Sequence, residues 1–304
     1  MPEQINGFQK ETLRTQVRGV YDLQKLRIQM GNRIVANVKA RDMGNKPSVP
    51  ESEALDKEDK KYLDRLRADY KKIMDGLQEI PTPRKFVAIG LISDYAFLSL
   101  FDQYVQMEKM EERQFALLEK SLQEFPVWTH YLKEVRGIGP ALAGIIISEI
   151  DITKAKYPSS LWKYAGLDTV NTEDGRNVGR SRKKESLVKK VYINKDGEEA
   201  ERDSITFNPF LKTKLIGVAG SSFLRVGEKG VYAKIYNDYK NRLTHRPDCA
   251  GLSKLHIHNR SIRYMIKQFL VDLHREWRKL EGFPPSVPYS EGKLGYNHGT
   301  GTEG

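Results

Sequence analysis

The 304 residues carry 30% charged side chains, one cysteine and a net charge of +11, with a mean hydropathy of −0.59. A single cysteine, Cys249, excludes an intrachain disulfide framework, no apolar run reaches membrane-spanning length, and Met1-Pro2-Glu3-Gln4 lacks a basic-then-apolar leader, so a soluble cytoplasmic protein is expected. The charge is uneven: residues 127–281 hold 29 Lys and Arg against 18 Asp and Glu, while the remainder holds 22 of each, which points to a polyanionic partner for that segment.

From Phe8 to Ala40 the apolar positions Leu13, Val17, Val20, Leu23, Met30, Ile34 and Val38 recur at the spacing of one long amphipathic helix. Gly44, Pro47 and Pro50 mark a linker over 42–52. A second helix is expected from Glu53 to Gln78, where Leu63, Leu66, Tyr70, Ile73, Leu77 and Ile80 form a heptad seam, so the two helices suit a coiled-coil-like hairpin within or between chains. Pro81 and Pro83 break the chain over 81–85. Val87 to Ile92 is apolar and leads to Asp94, the pattern with which a ribonuclease-H-type nuclease begins. Such a fold needs further strands and carboxylates for two metal ions. Here a helical repeat follows instead, from Tyr95 through Leu122.

Trp128, Leu132 and Val135 then lie at i, i+4 and i+7 of a short helix that Pro126 can start. Val135-Arg136-Gly137-Ile138-Gly139-Pro140-Ala141 comes next, two glycines around one apolar residue and then a proline suited to a first helical turn. With Leu142, Ile145, Ile146 and Ile150 on the next helix, this reads as a helix-hairpin-helix. Its loop and helix N-terminus would offer backbone N–H groups to a phosphate oxygen irrespective of base. Arg136, Gly137, Ile138, Gly139 and Ala141 are the candidate contacts; the alternative is a tight αα-hairpin that only packs. Ser159 or Ser160 is expected to cap a helix over Leu161–Ala165 that stops at Gly166. Arg176, Arg180, Arg182, Lys183, Lys184, Lys189 and Lys190 form the most basic run, a second candidate contact with a nucleic-acid backbone. Val188 to Ile193, the Asp196-Gly197 turn and Glu198 onward predict a β-hairpin.

Asn208-Pro209 opens a helix around Phe210 to Phe223, interrupted at Gly217 and Gly220, and Tyr232, Ile235, Tyr239 and Leu243 mark another. The last helix is expected over Ser261 to Leu280, with Arg260, Arg263 and Lys267 as a secondary basic face, and 282–304 as a disordered tail. Cys249, His256 and His258 lack a fourth ligand at usable spacing, so no metal site is expected. Glu149 and Asp151 read as a helix-end pair.

The fold class is therefore mainly α: helical, coiled-coil-like residues 1–125, a helix-hairpin-helix domain over 126–281 with an inserted β-hairpin, and the tail. Tyr131 to Leu167 resembles the C-terminal domain of a family of bacterial insertion-sequence transposases, with a RuvC-like (DEDD) N-terminal domain, related to Piv-type invertases and known as bridge-RNA-guided recombinases. The matching residues are Val135–Pro140, Ile145–Ile150 and Leu161–Leu167. Asn208-Pro209-Phe210-Leu211-Lys212, Tyr236-Asn237-Asp238-Tyr239 and the 260–280 helix look like later parts of the same domain. The resemblance implies DNA transposition or recombination. The RuvC-like half is not recognisable in residues 1–90, and no serine precedes the glycine in Asn171-Thr172-Glu173-Asp174-Gly175-Arg176, where the family has its nucleophile. Thr172 and Ser181 offer hydroxyls near that place without occupying it.

The leading expectation is a DNA-binding relative of these transposases without its own catalytic centre or cofactor, oligomerising or recruiting a protein partner through its N-terminal helices. RNA is an alternative polyanion. The competing readings are an active transposase using Thr172 or Ser181, with Mg2+ if catalytic, and a coiled-coil structural adaptor.

Overall fold

The computed structural model describes residues 7–44, 55–171, 175, 177–182, 184–195, 197–284 and 286. It divides into two compact units, residues 15–118 and residues 1–14 with 119–304. Both are helical, and the only described sheets are two antiparallel two-stranded ones in the second unit.

Helix α1 spans Gly7–Met43, α2 Lys57–Ile73 and α3 Tyr95–Leu122. The first unit is built on one core of Ile34, Val35 and Val38 from α1, Leu63, Leu66 and Tyr70 from α2, and Phe97, Leu98, Phe101 and Tyr104 from α3. The heptad seam of α2 is therefore covered by two helices of its own chain. Helix α2 is shorter than its periodicity predicts. Asp56 caps it late, accepting from the N–H groups of Glu58 at 2.8 Å and Asp59 at 2.7 Å, and Leu77 beyond its end is exposed. The apolar stretch before Asp94 forms no nuclease strand. Ile89 and Ile92 bond each other across a tight turn, and Asp94 caps α3 by accepting from Phe97 N–H at 2.8 Å. Most of the expected 42–52 linker lies outside the described residues.

In the second unit α4 spans Pro126–His130, a 3-10 turn Leu132–Glu134, and α5 Pro140–Glu149. Every α5 residue from Leu142 to Glu149 is buried, so this helix is the unit's central rod. Helix α6, Pro158–Tyr164, starts one turn earlier than expected. Proline takes its first position, Tyr157 precedes it without a side-chain cap, and Ser159 and Ser160 lie inside the helix. Gly166 ends it at φ +64°, where a Cβ would sit 2.6 Å from the Phe207 ring. Strands β1 (Thr169–Asn171) and β2 (Asn177–Gly179) pair antiparallel, as do β3 (Val188–Ile193) and β4 (Glu199–Ser204). The second pair is the β-hairpin that the sequence pattern predicts, with Asp196 of its turn outside the described residues.

Helix α7, Pro209–Thr213, is capped by Asn208, whose side-chain oxygen accepts from Leu211 N–H at 3.0 Å. Gly217 and Gly220 do not interrupt the helical path after it. The chain widens into a π segment over Lys214–Ala219 and continues as α8, Gly220–Val226. Gly220 lets Ile262 approach so closely that a Cβ there would lie 3.1 Å from it. Helix α9 is Val231–His245 and α10 Lys254–Leu280. Helix α10 starts two turns before the apolar pattern becomes visible, capped by Ser253, whose hydroxyl accepts from His256 N–H at 3.2 Å. Phe223, Tyr232 and Phe269 pack ring against ring at 4.6–5.5 Å between centroids, locking α8, α9 and α10 together. The residues expected to form the tail lie, from 287 on, outside the described set.

Candidate nucleic-acid interface

The two-glycine corner forms between the 3-10 turn and α5. Ile138 N–H donates to Val135 O at 2.9 Å, which closes the turn and points the buried Ile138 side chain inward. Gly137 sits at φ +99°, and a Cβ there would lie 2.8 Å from the Phe223 ring. Its glycine identity is thus set both by backbone angle and by the neighbour beneath it. Gly139 differs. It is the N-cap of α5 at φ −98°, in open space and without a side-chain cap. Its carbonyl accepts from Leu142 and Ala143. Neither its own N–H nor that of Ala141 has an acceptor among the described residues, so the positive end of a ten-residue helix opens at an exposed glycine. Exposed Arg136 stands beside it, its guanidinium donating to Lys229 O at 3.2 Å. The cleft behind Arg136 is charge-balanced, since Arg275 there bonds Asp272 and Glu276, each at 3.1 Å.

The basic run separates into groups with different surroundings. Thr172, Arg176 and Lys183 lie outside the described residues. Arg180 is buried, and the Nε–Nη2 edge of its guanidinium grips both carboxylate oxygens of Asp168, at 2.6 and 2.8 Å, while Nη1 donates to Thr206. That fork ties β2 to the loop after α6 and occupies Arg180 structurally. Arg182 and Lys184 are exposed. Lys189 and Lys190 are exposed on β3, and β4 treats them differently: Lys189 pairs with Glu201 at 3.4 Å and has Asp203 opposite it in register, whereas Lys190 lies opposite Arg202. The Ser181 and Ser186 hydroxyls share a hydrogen bond at 2.9 Å.

The secondary face of α10 is only partly solvated. Arg260 is exposed, whereas Arg263 and Lys267 are half-buried. Arg263 runs under β2, where a Cβ on Gly179 would collide with its guanidinium. Lys267 lies over the Trp162 ring at 5.0 Å, and the Trp162 indole donates to Lys267 O at 3.2 Å. Lys212, which the charge pattern did not single out, joins them by donating to Arg180 O at 2.5 Å. Asp168 is the carboxylate that interacts with all of these cations. Burial pushes Arg263 below the usual arginine range against the pull of Asp168; Lys267 and Lys212 are also lowered, first by burial and then by the Arg263 charge. The sequence marks Arg180 in one basic run and Arg263 and Lys267 on another face, but not their convergence with Lys212 on Asp168, because these residues lie between positions 168 and 267.

The remaining candidates do not converge. Cys249 is buried with Leu243 and Ile257, His258 is held by the Tyr236 hydroxyl at 2.6 Å, and His256 is exposed. Among the described residues no group of three or more His, Cys, Asp or Glu is placed to hold a metal ion. Glu149 is buried and accepts from the Asn208 side-chain amide at 2.6 Å, while Asp151 accepts from the Thr153 hydroxyl at 2.7 Å. Both carboxylates fasten the end of α5. No described helix is long and apolar enough to cross a membrane.

Residues 129–191 match the model of the transposase IS116/IS110/IS902 family. The matched segment runs from the end of α4 through the glycine corner, α5, α6 and the β1–β2 pair into β3, and it is similar to the corresponding part of those transposases. No curated protein and no solved structure gives a match.

Proposed function

We propose that this chain is a nucleic-acid-binding relative of insertion-sequence transposases that holds backbone phosphates at the Gly137–Gly139 corner. The observation that carries the proposal is the uncapped, exposed start of α5 beside Arg136, inside the segment that matches the transposase family. A helix N-terminus with free N–H groups attracts an anion, and an adjacent guanidinium adds a charge-assisted contact. Because the contact is to backbone, it positions the protein without reading bases. Arg182 and Lys184 extend the surface, whereas Lys189 contributes less because Glu201 pairs with it, and Lys190 stands opposite Arg202 on a hairpin that is close to neutral as a whole. DNA is the polymer proposed, in transposition or recombination. The chain acts there as a binding component, without a catalytic centre of its own.

Gly139→Asp tests the reading cleanly. An aspartate at this N-cap suits the fold, because it accepts from the same N–H groups and has room. It also places a negative charge where the phosphate would sit. The variant is expected to melt at or above the wild-type temperature and to bind labelled duplex at least about tenfold more weakly for every sequence tried. Unchanged affinity for duplex in the folded variant would overturn the proposal.

A further inference from the structure

Among the described residues the cluster beneath β2 sets four cations against one carboxylate. Arg180, Lys212, Arg263 and Lys267 share Asp168, and both oxygens of Asp168 are already engaged by Arg180. Among the described residues Arg263 has no hydrogen bond or ion pair, and the Lys267 ammonium has only the Trp162 ring. Half-buried cations that share one already engaged carboxylate are unfavourable unless a further anion arrives from outside. Such an anion has a way in. An open cleft of about 390 Å³ lies between β2 and the first turns of α10, lined by Gly179, Ser181, His256, Asn259, Arg260 and Arg263.

We propose that this cleft seats one phosphate group of a nucleic-acid strand, held by the Arg263 guanidinium with Arg260, Asn259 and Ser181 around it. The planar fork of Arg263 matches two phosphate oxygens, and the neutral donors satisfy further lone pairs. Lys212 and Lys267 stand behind and supply charge without needing contact. The lining residues lie outside the glycine corner, so the cleft is a second, separate grip. Identifying the phosphate as part of a strand rests on the nucleic-acid function proposed for the corner; the excess charge does not.

The test uses the full chain and two probes. Thermal melting in inorganic phosphate is compared with melting in chloride at equal ionic strength, and binding of labelled duplex is titrated against salt. Wild type, Arg263→Gln, Lys267→Met and Gly139→Asp are run side by side. Wild type should be stabilised by phosphate. Arg263→Gln should lose that protection, bind duplex about tenfold more weakly, and show a salt slope shallower by about one, while melting no lower in chloride because crowded charge has been removed. Lys267→Met keeps its aliphatic stem on Trp162 and should weaken duplex binding about threefold by the loss of one nearby charge, which decides the matter if Arg263→Gln does not fold. Full duplex affinity in both folded variants overturns the cleft assignment, as does phosphate protection that survives Arg263→Gln. If Gly139→Asp still weakens binding in that case, the corner stands and only the cleft falls. If wild type binds no duplex at all, both fall together.

Discussion

At the residue scale the two glycines of the corner are different objects. Gly137 combines φ +99° with a neighbour 2.8 Å from any Cβ, whereas Gly139 has an ordinary negative φ and open space. Gly137→Ala should therefore destabilise the protein by about 1–3 kcal/mol, and Gly139→Ala by well under about 1 kcal/mol, as read by chemical denaturation. Equal effects would mean that the corner is not built as described. A second residue-level consequence concerns His274. It is fully buried on α10, hydrogen-bonded to Ala155 O at 2.8 Å with Arg278 on the same carbonyl. Burial lowers its pKa from the usual 6.5 against that bond, and the Arg278 charge lowers it further. The unfolded chain then takes up a proton that the folded chain refuses. Stability is full above pH 6.5 and is lost as pH falls from there toward the lowered native value. Melting temperature followed from about pH 7.5 to about pH 5 should drop in wild type and drop less in His274→Gln, whose amide can still donate to Ala155 O. Parallel curves would place the acid sensitivity elsewhere.

At the scale of elements the β3–β4 hairpin decides how much of the basic run matters. Within residues 188–204 there are four Lys and Arg and five Asp and Glu; Lys189 faces Asp203 across the strands, and Lys190 faces Arg202. The hairpin is close to neutral, and every β3 side chain is exposed. Replacing 188–204 by a short Gly-Ser linker should leave duplex affinity within about threefold and the salt slope within about one unit, by the same titration. A large loss would return Lys189 and Lys190 to the interface. The same hairpin shows what local pattern can reveal. Its two runs around an Asp-Gly pair, the α3 span from Tyr95 to Leu122 and the glycine corner were all legible, because neighbours within a few residues determine them. The α10 start was not, since Ser253 and the polar residues after it signal a cap only once Ile257 is seen to face inward. The run from Arg176 to Lys190 read as one basic surface, yet Arg180 turns inward on Asp168. Whether a charge faces water or a carboxylate is settled by residues far away in sequence. For the same reason the pattern marked Arg263 and Lys267 only as a basic face of the last helix, with no sign that Lys212 and Asp168 join them.

At the scale of the whole molecule, most of the positive charge left over lies on one segment. Residues 15–118 hold 18 Lys and Arg against 16 Asp and Glu, and much of that charge is paired internally, as in Arg27 with Glu111, Arg67 with Glu108 and Arg41 with Asp94. Residues 127–281 keep the entire net excess. A polyanion should therefore be held by that segment, and the number of phosphates neutralised should appear as salt dependence. About six contacts predict a log–log slope near −5 on duplex DNA. Changing Arg136, Arg182 and Lys184 together to Gln should lower its magnitude by about three. Changing Lys60 and Lys61, exposed on α2, to Gln should leave it unaltered, because those charges belong to a unit that is nearly balanced. If both sets reduce the slope equally per charge removed, binding is a diffuse response to net charge, and the helix N-terminus at Gly139 has no special part in it. A difference between the sets locates the phosphates on the segment that carries the glycine corner.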